Sequence, residues 1–139
     1  MARWTHVDEV RFGDTDLMGH VNNARFHSFT EDARIRMLSG VTTDAGRPLP
    51  EAGLILARAE MAFRRPLFLS EHSVVTELAV TRVGSSSVTI QHEITQDEQV
   101  CATGLVVVVA YDYDAGRSRP LSDDERAALE ALRDAHAEG

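Results

Sequence analysis

Along residues 22–38, Phe26, Phe29, Ala33 and Met37 recur at spacings of three and four. That period places them on one face of a helix, with Arg25, Asp32 and Arg36 off the stripe. Asn22 or Asn23 can cap its first turn, and Gly40 stands just past the last periodic residue. After Gly53 the period changes to two. Ile55, Ala57, Ala59, Met61 and Phe63 alternate with Leu54, Leu56, Arg58, Glu60 and Ala62, up to Pro66. Val74, Thr76, Leu78 and Val80 form a second alternating run, and Val88, Ile90, His92 and Ile94 a third. Gly84-Ser85 and Gln96-Asp97-Glu98 supply the connections. From Val100 to Tyr111 the chain is almost continuously apolar, the pattern of a strand covered on both faces.

A short extended segment at 4–12 precedes the helix, and a turn-rich stretch, Gly13 to Gly19, joins them. Near the end, Ser122 and Glu125 have the spacing of a capping box, and Leu129 and Leu132 give a small apolar face. The order is strand, helix, four strands, helix. Short turns make antiparallel neighbours, and the single helix between strands argues against a parallel βαβ design. The expected fold is α+β: a curved five-stranded antiparallel sheet against one long helix, with a short C-terminal helix. Residues 39–53, with Gly46, Pro48, Pro50 and Gly53, are expected to be a long loop of the kind that serves as a lid.

Length and charge narrow the classes. The 139 residues suit one domain spanning 1–139. Acidic residues number 22 against 14 basic ones, a net charge of -8, which disfavours a nucleic-acid backbone as partner. The polar start and the shortness of the apolar run Leu105 to Ala110 predict a soluble, cytoplasmic protein with no membrane partner. A single cysteine, Cys101, forms no internal disulfide and reads as packing. The six histidines fall in no metal-ligand spacing, so no metal and no cofactor is expected. Serine-nucleophile, phosphate-loop and dinucleotide motifs are missing from the sequence.

The candidate chemistry lies between Arg11 and Phe26. Asp14, Asp16 and His20 come just before the N-terminus of the principal helix. That end carries unpaired N–H groups and a partial positive charge, suited to an anion or a developing oxyanion. On spacing alone, the favoured reading is that Asp14 and Asp16 shape the turn and Asn22 caps the helix, with chemistry the alternative. Glu31 reads as a partner of Arg34 or Arg36, and His92 as a core or interface histidine.

The string Asp14-Thr15-Asp16, then Gly19-His20-Val21-Asn22-Asn23-Ala24-Arg25-Phe26, then Glu31-Asp32-Ala33-Arg34, resembles the signature of hotdog-fold acyl-CoA thioesterases. The similarity is to the 4-hydroxybenzoyl-CoA thioesterase-like branch, and Phe63-Arg64-Arg65-Pro66-Leu67 resembles a strand end of the same family. The resemblance covers roughly residues 5–120 and implies a hotdog fold, with the sheet wrapped around the long helix. It implies that Asp16 is the catalytic carboxylate and that the Asn23 N–H polarises the thioester carbonyl. His20 would orient Asp16 or the substrate, or simply pin the turn. Asp16 would attack to form a mixed anhydride, or activate water. Acyl-CoA would be the substrate, and a homodimer or homotetramer the assembly. Coenzyme A needs local positive charge, for which Arg64 with Arg65 and Arg117 with Arg119 are the candidates. Met18 stands where plant acyl-carrier-protein thioesterases, which share the His-Val-Asn-Asn string, have an asparagine; this disfavours a carrier-protein substrate. Glu71-His72 replaces the family's usual Gly-Asp pair. A non-catalytic acyl-CoA-binding module on the same fold is the alternative function.

Overall fold

A computed structural model describes residues 3–137 of the chain. β1 (Trp4–Asp8) leads through a single 3-10 turn, Phe12–Asp14, to α1 (Asn23–Leu38). Then come α2 (Leu49–Ala52), β2 (Leu54–Phe63), β3 (Val74–Val83), β4 (Ser87–Gln96), β5 (Gln99–Asp112), β6 (Arg117–Ser118) and α3 (Asp123–Ala137). The sheet runs in the order β1-β3-β4-β5-β2, all antiparallel, and β6 pairs with the end of β5.

The expected central meander is present, and β4 turns into β5 through Asp97 and Glu98 alone. Both have positive φ, 53° and 62°, the backbone that matches a two-residue hairpin to strand twist. The neighbours of β2 differ from the simplest reading of the sequence. β2 does not pair with β3, which follows it in the chain. Residues 64–73 carry the chain from one edge of the sheet toward the other, and β2 closes on β5 instead. A bulge between Leu56 and Arg58 breaks the expected alternation along β2. Most of β2 is exposed, because within one chain it is an edge.

Two other expectations change. The 39–53 segment is not one open loop: it holds α2, whose Leu49 is fully buried and whose Leu49 N–H donates to the Val41 carbonyl at 2.7 Å. Pro48, read from the sequence as a loop former, is the N-cap of that turn, and Pro50 lies in its first turn, where the missing N–H costs no helix bond. β5 is not covered on both faces. Cys101, Val106, Val108 and Ala110 are buried, while Leu105, Val107 and Val109 are only partly so.

α1 lies against the sheet with Phe26, Phe29, Ala33 and Met37 inward, the stripe read from the sequence. The core divides into two apolar clusters. One gathers around Phe26, Leu67, Val74 and Ile94, the other around Met37, Leu78, Ile90 and Leu129. Between them along their strands and helix stand Thr30, Thr76, His92 and Gly104, small or polar. His92 is 4% exposed, and neither ring nitrogen has a hydrogen-bond partner among the described residues. Burial pushes its pKa down to about 4, and the charges of His27 and Arg34 act in the same direction. Its imidazole is therefore neutral at ordinary pH.

α3 is fifteen residues long and packs along β3. Ser122 and Glu125 exchange the two hydrogen bonds of a capping box, at 2.9 and 3.2 Å. At the far end the buried His136 accepts the Val80 N–H on Nδ1 at 3.0 Å, beside the bulge of β3. Among the described residues no helix is long and apolar enough to cross a membrane.

Candidate active site

The turn before α1 separates the roles of its two aspartates. Asp14 Oδ2 accepts the Arg11 N–H at 2.9 Å, its carbonyl accepts the Asn22 N–H at 2.9 Å, and Arg25 lies 3.7 Å from Oδ1. Asp14 is thus spent on the backbone. Asp16 Oδ1 accepts the N–H groups of Met18 and His20 at 2.9 and 3.3 Å. The Asp16 N–H in turn donates to the His20 carbonyl at 2.8 Å, closing a small loop around Gly19, whose φ of +78° a side chain would strain. This clamp fixes the carboxylate through one oxygen and leaves Oδ2 free of any hydrogen bond among the described residues.

The first turn of α1 leaves one donor open. The Asn22 side chain caps Ala24 N–H at 2.9 Å, and the Asn22 N–H is taken by Asp14. Between them the Asn23 N–H has no partner among the described residues. It stands at the positive end of the helix dipole.

Asp16, His20, Asn22, Asn23 and Phe26 line one cleft of about 610 Å³, with Phe63, Arg64, Arg65 and Pro66 opposite them. The structure therefore brings Asp16, Asn23 and His20 together with the first arginine pair. His20 bears on Asp16 through its backbone; its imidazole stands edge-on to Phe68, 5.2 Å between ring centres. Both the Arg64 and Arg65 N–H groups donate to the Cys101 carbonyl, and Arg64 Nε donates to Thr103 Oγ1 at 3.2 Å. Neither arginine has a carboxylate partner among the described residues.

The second arginine pair is elsewhere. Arg117 opens β6 opposite Asp112 and Arg119 follows it, at the opposite end of β5 from Cys101. At roughly 3.3 Å per residue that is on the order of 30 Å away along the strand. Arg119 is not free for a phosphate: its guanidinium donates to both oxygens of the buried Glu125, at 2.8 and 3.1 Å. Burial alone would raise the Glu125 carboxyl; the Arg119 pair and the Ser122 donors outweigh it and hold it below the usual range. Glu31 faces Arg34 at 3.7 Å, and Arg36 takes Asp32 instead. Burial pushes the Cys101 thiol up, away from reactivity. Pro66 and Phe26 were not singled out from the sequence as cleft walls, because nothing local tells which strand end will face the helix N-terminus.

A family model described as the Thioesterase-like superfamily matches residues 10–129, a span that includes the whole cleft. The chain belongs to that superfamily. It is 27% identical over 125 residues to the long-chain acyl-CoA thioesterase FadM of Escherichia coli K12, covering 89% of this chain and 95% of that one. A thioesterase from Thermus thermophilus, solved with coenzyme A and Zn, is 35% identical with a TM-score of 0.82, over 94% and 93% of the two chains. A predicted thioesterase from Bacillus stearothermophilus superposes with a TM-score of 0.83 at 28% identity, over 94% and 96%. The fold of this member is accordingly the hotdog: a curled antiparallel sheet around a long helix. The resemblance read from the Asp14-to-Arg34 string and the family match point to the same group.

Proposed function

We propose that this protein hydrolyses acyl-CoA thioesters to a carboxylic acid and free coenzyme A, with Asp16 as the catalytic carboxylate and the Asn23 N–H as the oxyanion donor. The observation that carries the reading is one cleft holding a carboxylate with an open oxygen and a helix N-terminus with an open N–H. A thioester carbonyl hydrogen-bonded to Asn23 gains electrophilicity, and its tetrahedral oxyanion gains more. Such a donor is worth roughly 3–4 kcal/mol of barrier. Two routes use the free Asp16 oxygen. It attacks the carbonyl carbon, the C–S bond breaks, coenzyme A leaves as thiolate and takes a proton from solvent, and water then cleaves the anhydride. Alternatively it takes the proton of a water that attacks directly. The similarity to FadM and to a coenzyme A complex supports the substrate class. Release of free thiol from a panel of acyl-CoAs tests the reading; a chain that releases none of them is not such an enzyme.

In this reading Arg64 and Arg65 hold the anionic part of coenzyme A at the rim of the cleft. Replacing both with alanine is expected to raise KM about tenfold or more with kcat nearly unchanged. That is the signature of lost uniform binding, since a charge-assisted hydrogen bond is worth roughly 1.5–3 kcal/mol. A short thioester without the nucleotide is the control and should be indifferent. Equal effects on both substrates would remove these residues from nucleotide binding.

The assembly proposed is a homodimer or homotetramer. β2 is an exposed ten-residue edge bearing Ile55, Leu56 and Phe63, and β5 leaves Leu105, Val107 and Val109 half-covered on the outer face. An open, apolar edge strand is a template for pairing with a second chain. Light scattering at micromolar protein is expected to give two or four chains. A fully active monomer would contradict it.

A further inference from the structure

Away from the cleft of Asp16, three side chains from two elements converge beside the edge strand β1. His6 and Asp8 are two positions apart on β1, so strand alternation turns both to one face. Asp32 reaches them from α1. One donor atom of each lies within 4.8 Å of the other two, and His6 Nε2 is 3.2 Å from Asp32 Oδ2. Around a zinc ion with bonds of roughly 2.0–2.1 Å, tetrahedral donors stand about 3.3 Å from each other. The His6–Asp32 pair already has the spacing of one edge of such a shell.

A hydrogen bond alone would account for that pair. It does not account for Asp8, a second carboxylate brought beside the first, where like charges repel. Each carboxylate is also oriented from behind. The Glu9 N–H donates to Asp8 Oδ1 at 2.8 Å, and Arg36 Nε to Asp32 Oδ1 at 3.1 Å. Ligating carboxylates are commonly held in this way, with one oxygen on a protein donor and the other left for the ion. Of the arginines lining the adjoining cleft, Arg36 is committed to Asp32 Oδ1 and Arg25 faces Asp14, while Arg11 has no carboxylate partner among the described residues. Asp8 and Asp32 also line an open cleft of about 340 Å³, which gives an ion a way in and water a place in its shell.

We propose that His6, Asp8 and Asp32 bind a divalent transition-metal cation, Zn²⁺ by preference, with water completing the shell, and that the ion clips β1 to α1. Two carboxylates and one imidazole balance a double charge, and one nitrogen with two oxygens suits Zn²⁺ better than a thiophilic ion. The site is independent of thioester hydrolysis.

The test uses the untagged full chain, freed of metal with a chelator and titrated with Zn²⁺ alone by calorimetry and thermal unfolding. One ion per chain and a Tm that rises with Zn²⁺ are expected. His6→Gln and Asp8→Asn should each weaken binding at least tenfold and abolish the Zn²⁺-dependent rise, while His72→Gln, remote from the cluster, keeps both. Asp32→Asn also loses the Arg36 pair, so the two β1 variants carry the test if it unfolds. Co²⁺ in place of Zn²⁺ should give a visible absorption band that His6→Gln removes. No stoichiometric binding by the wild type, or wild-type affinity in both β1 variants, would overturn the site.

Discussion

Asp16→Asn is expected to lower acyl-CoA hydrolysis at least ~100-fold with the fold intact. The asparagine oxygen can still accept the Met18 and His20 N–H groups that hold Oδ1, so the turn persists. What is lost is the charge on the open oxygen, which either attacks or takes a proton. A hundredfold loss corresponds to about 2.7 kcal/mol of barrier, within the usual range for a positioned base or nucleophile. Asp14→Asn should cost far less, because Asp14 serves the Arg11 N–H and keeps an acceptor in the variant. Steady-state rates of both variants, with circular dichroism and Tm as fold controls, check the contrast. A wild-type rate for Asp16→Asn would move the chemistry elsewhere. Equal losses in both variants would mean that the turn, not the carboxylate, is what matters.

Gly104→Ala is expected to be among the most destabilising single changes in the chain. Gly104 pairs with His92 on one side and Met61 on the other, in the belt between the two apolar clusters. A Cβ there would collide with the backbone carbonyl of Glu60 on β2 and come within 2.6 Å of His92 Nε2. The imidazole could yield, but the carbonyl belongs to the paired strand and moves only if β2 moves. Overpacking of this kind costs typically 1–3 kcal/mol and more against rigid backbone, so a loss of roughly 3 kcal/mol, or about 10 °C in Tm, is the scale. Adding His92→Ala should recover only part of it. Thermal and urea unfolding measure the loss; a Tm within two or three degrees of wild type would show that the sheet yields more cheaply than its geometry implies.

Local pattern reached much of this architecture. α1 was legible because Phe26, Phe29, Ala33 and Met37 keep helical period to the end. The β4–β5 turn was legible because three polar residues interrupt two apolar runs. The partner of β2 was not legible, since its paired residues, from Phe63 with Ala102 to Leu54 with Ala110, are too far apart in sequence to leave a local trace, and the bulge at Leu56 breaks the parity that marks a buried face. α2 escaped because two prolines around Leu49 look like loop until the burial of Leu49 is known. Within the candidate site, Asp16 and Asn23 could be named from one contiguous string. The hydrogen bonds that set Asp14 apart from Asp16 could not, because they depend on which backbone N–H each carboxylate meets. The same holds for His6, Asp8 and Asp32, which the β1–α1 packing brings together from distant positions.

The pairing of β2 with β5 also bears on how the molecule comes into being. The cleft has two walls, residues 16–26 and residues 63–66, and the second is held by β5, some forty residues downstream of it. As the chain is synthesised, the helix that carries Asn23 and the strand that carries Phe63 emerge long before the strand that fixes β2 in place. Such non-local closure is slow relative to helix formation or hairpin pairing. β2 and its apolar side chains therefore wait unpaired, an interval in which an open strand edge is prone to aggregation. The cleft is a late product of folding, completed only once β5 has been made.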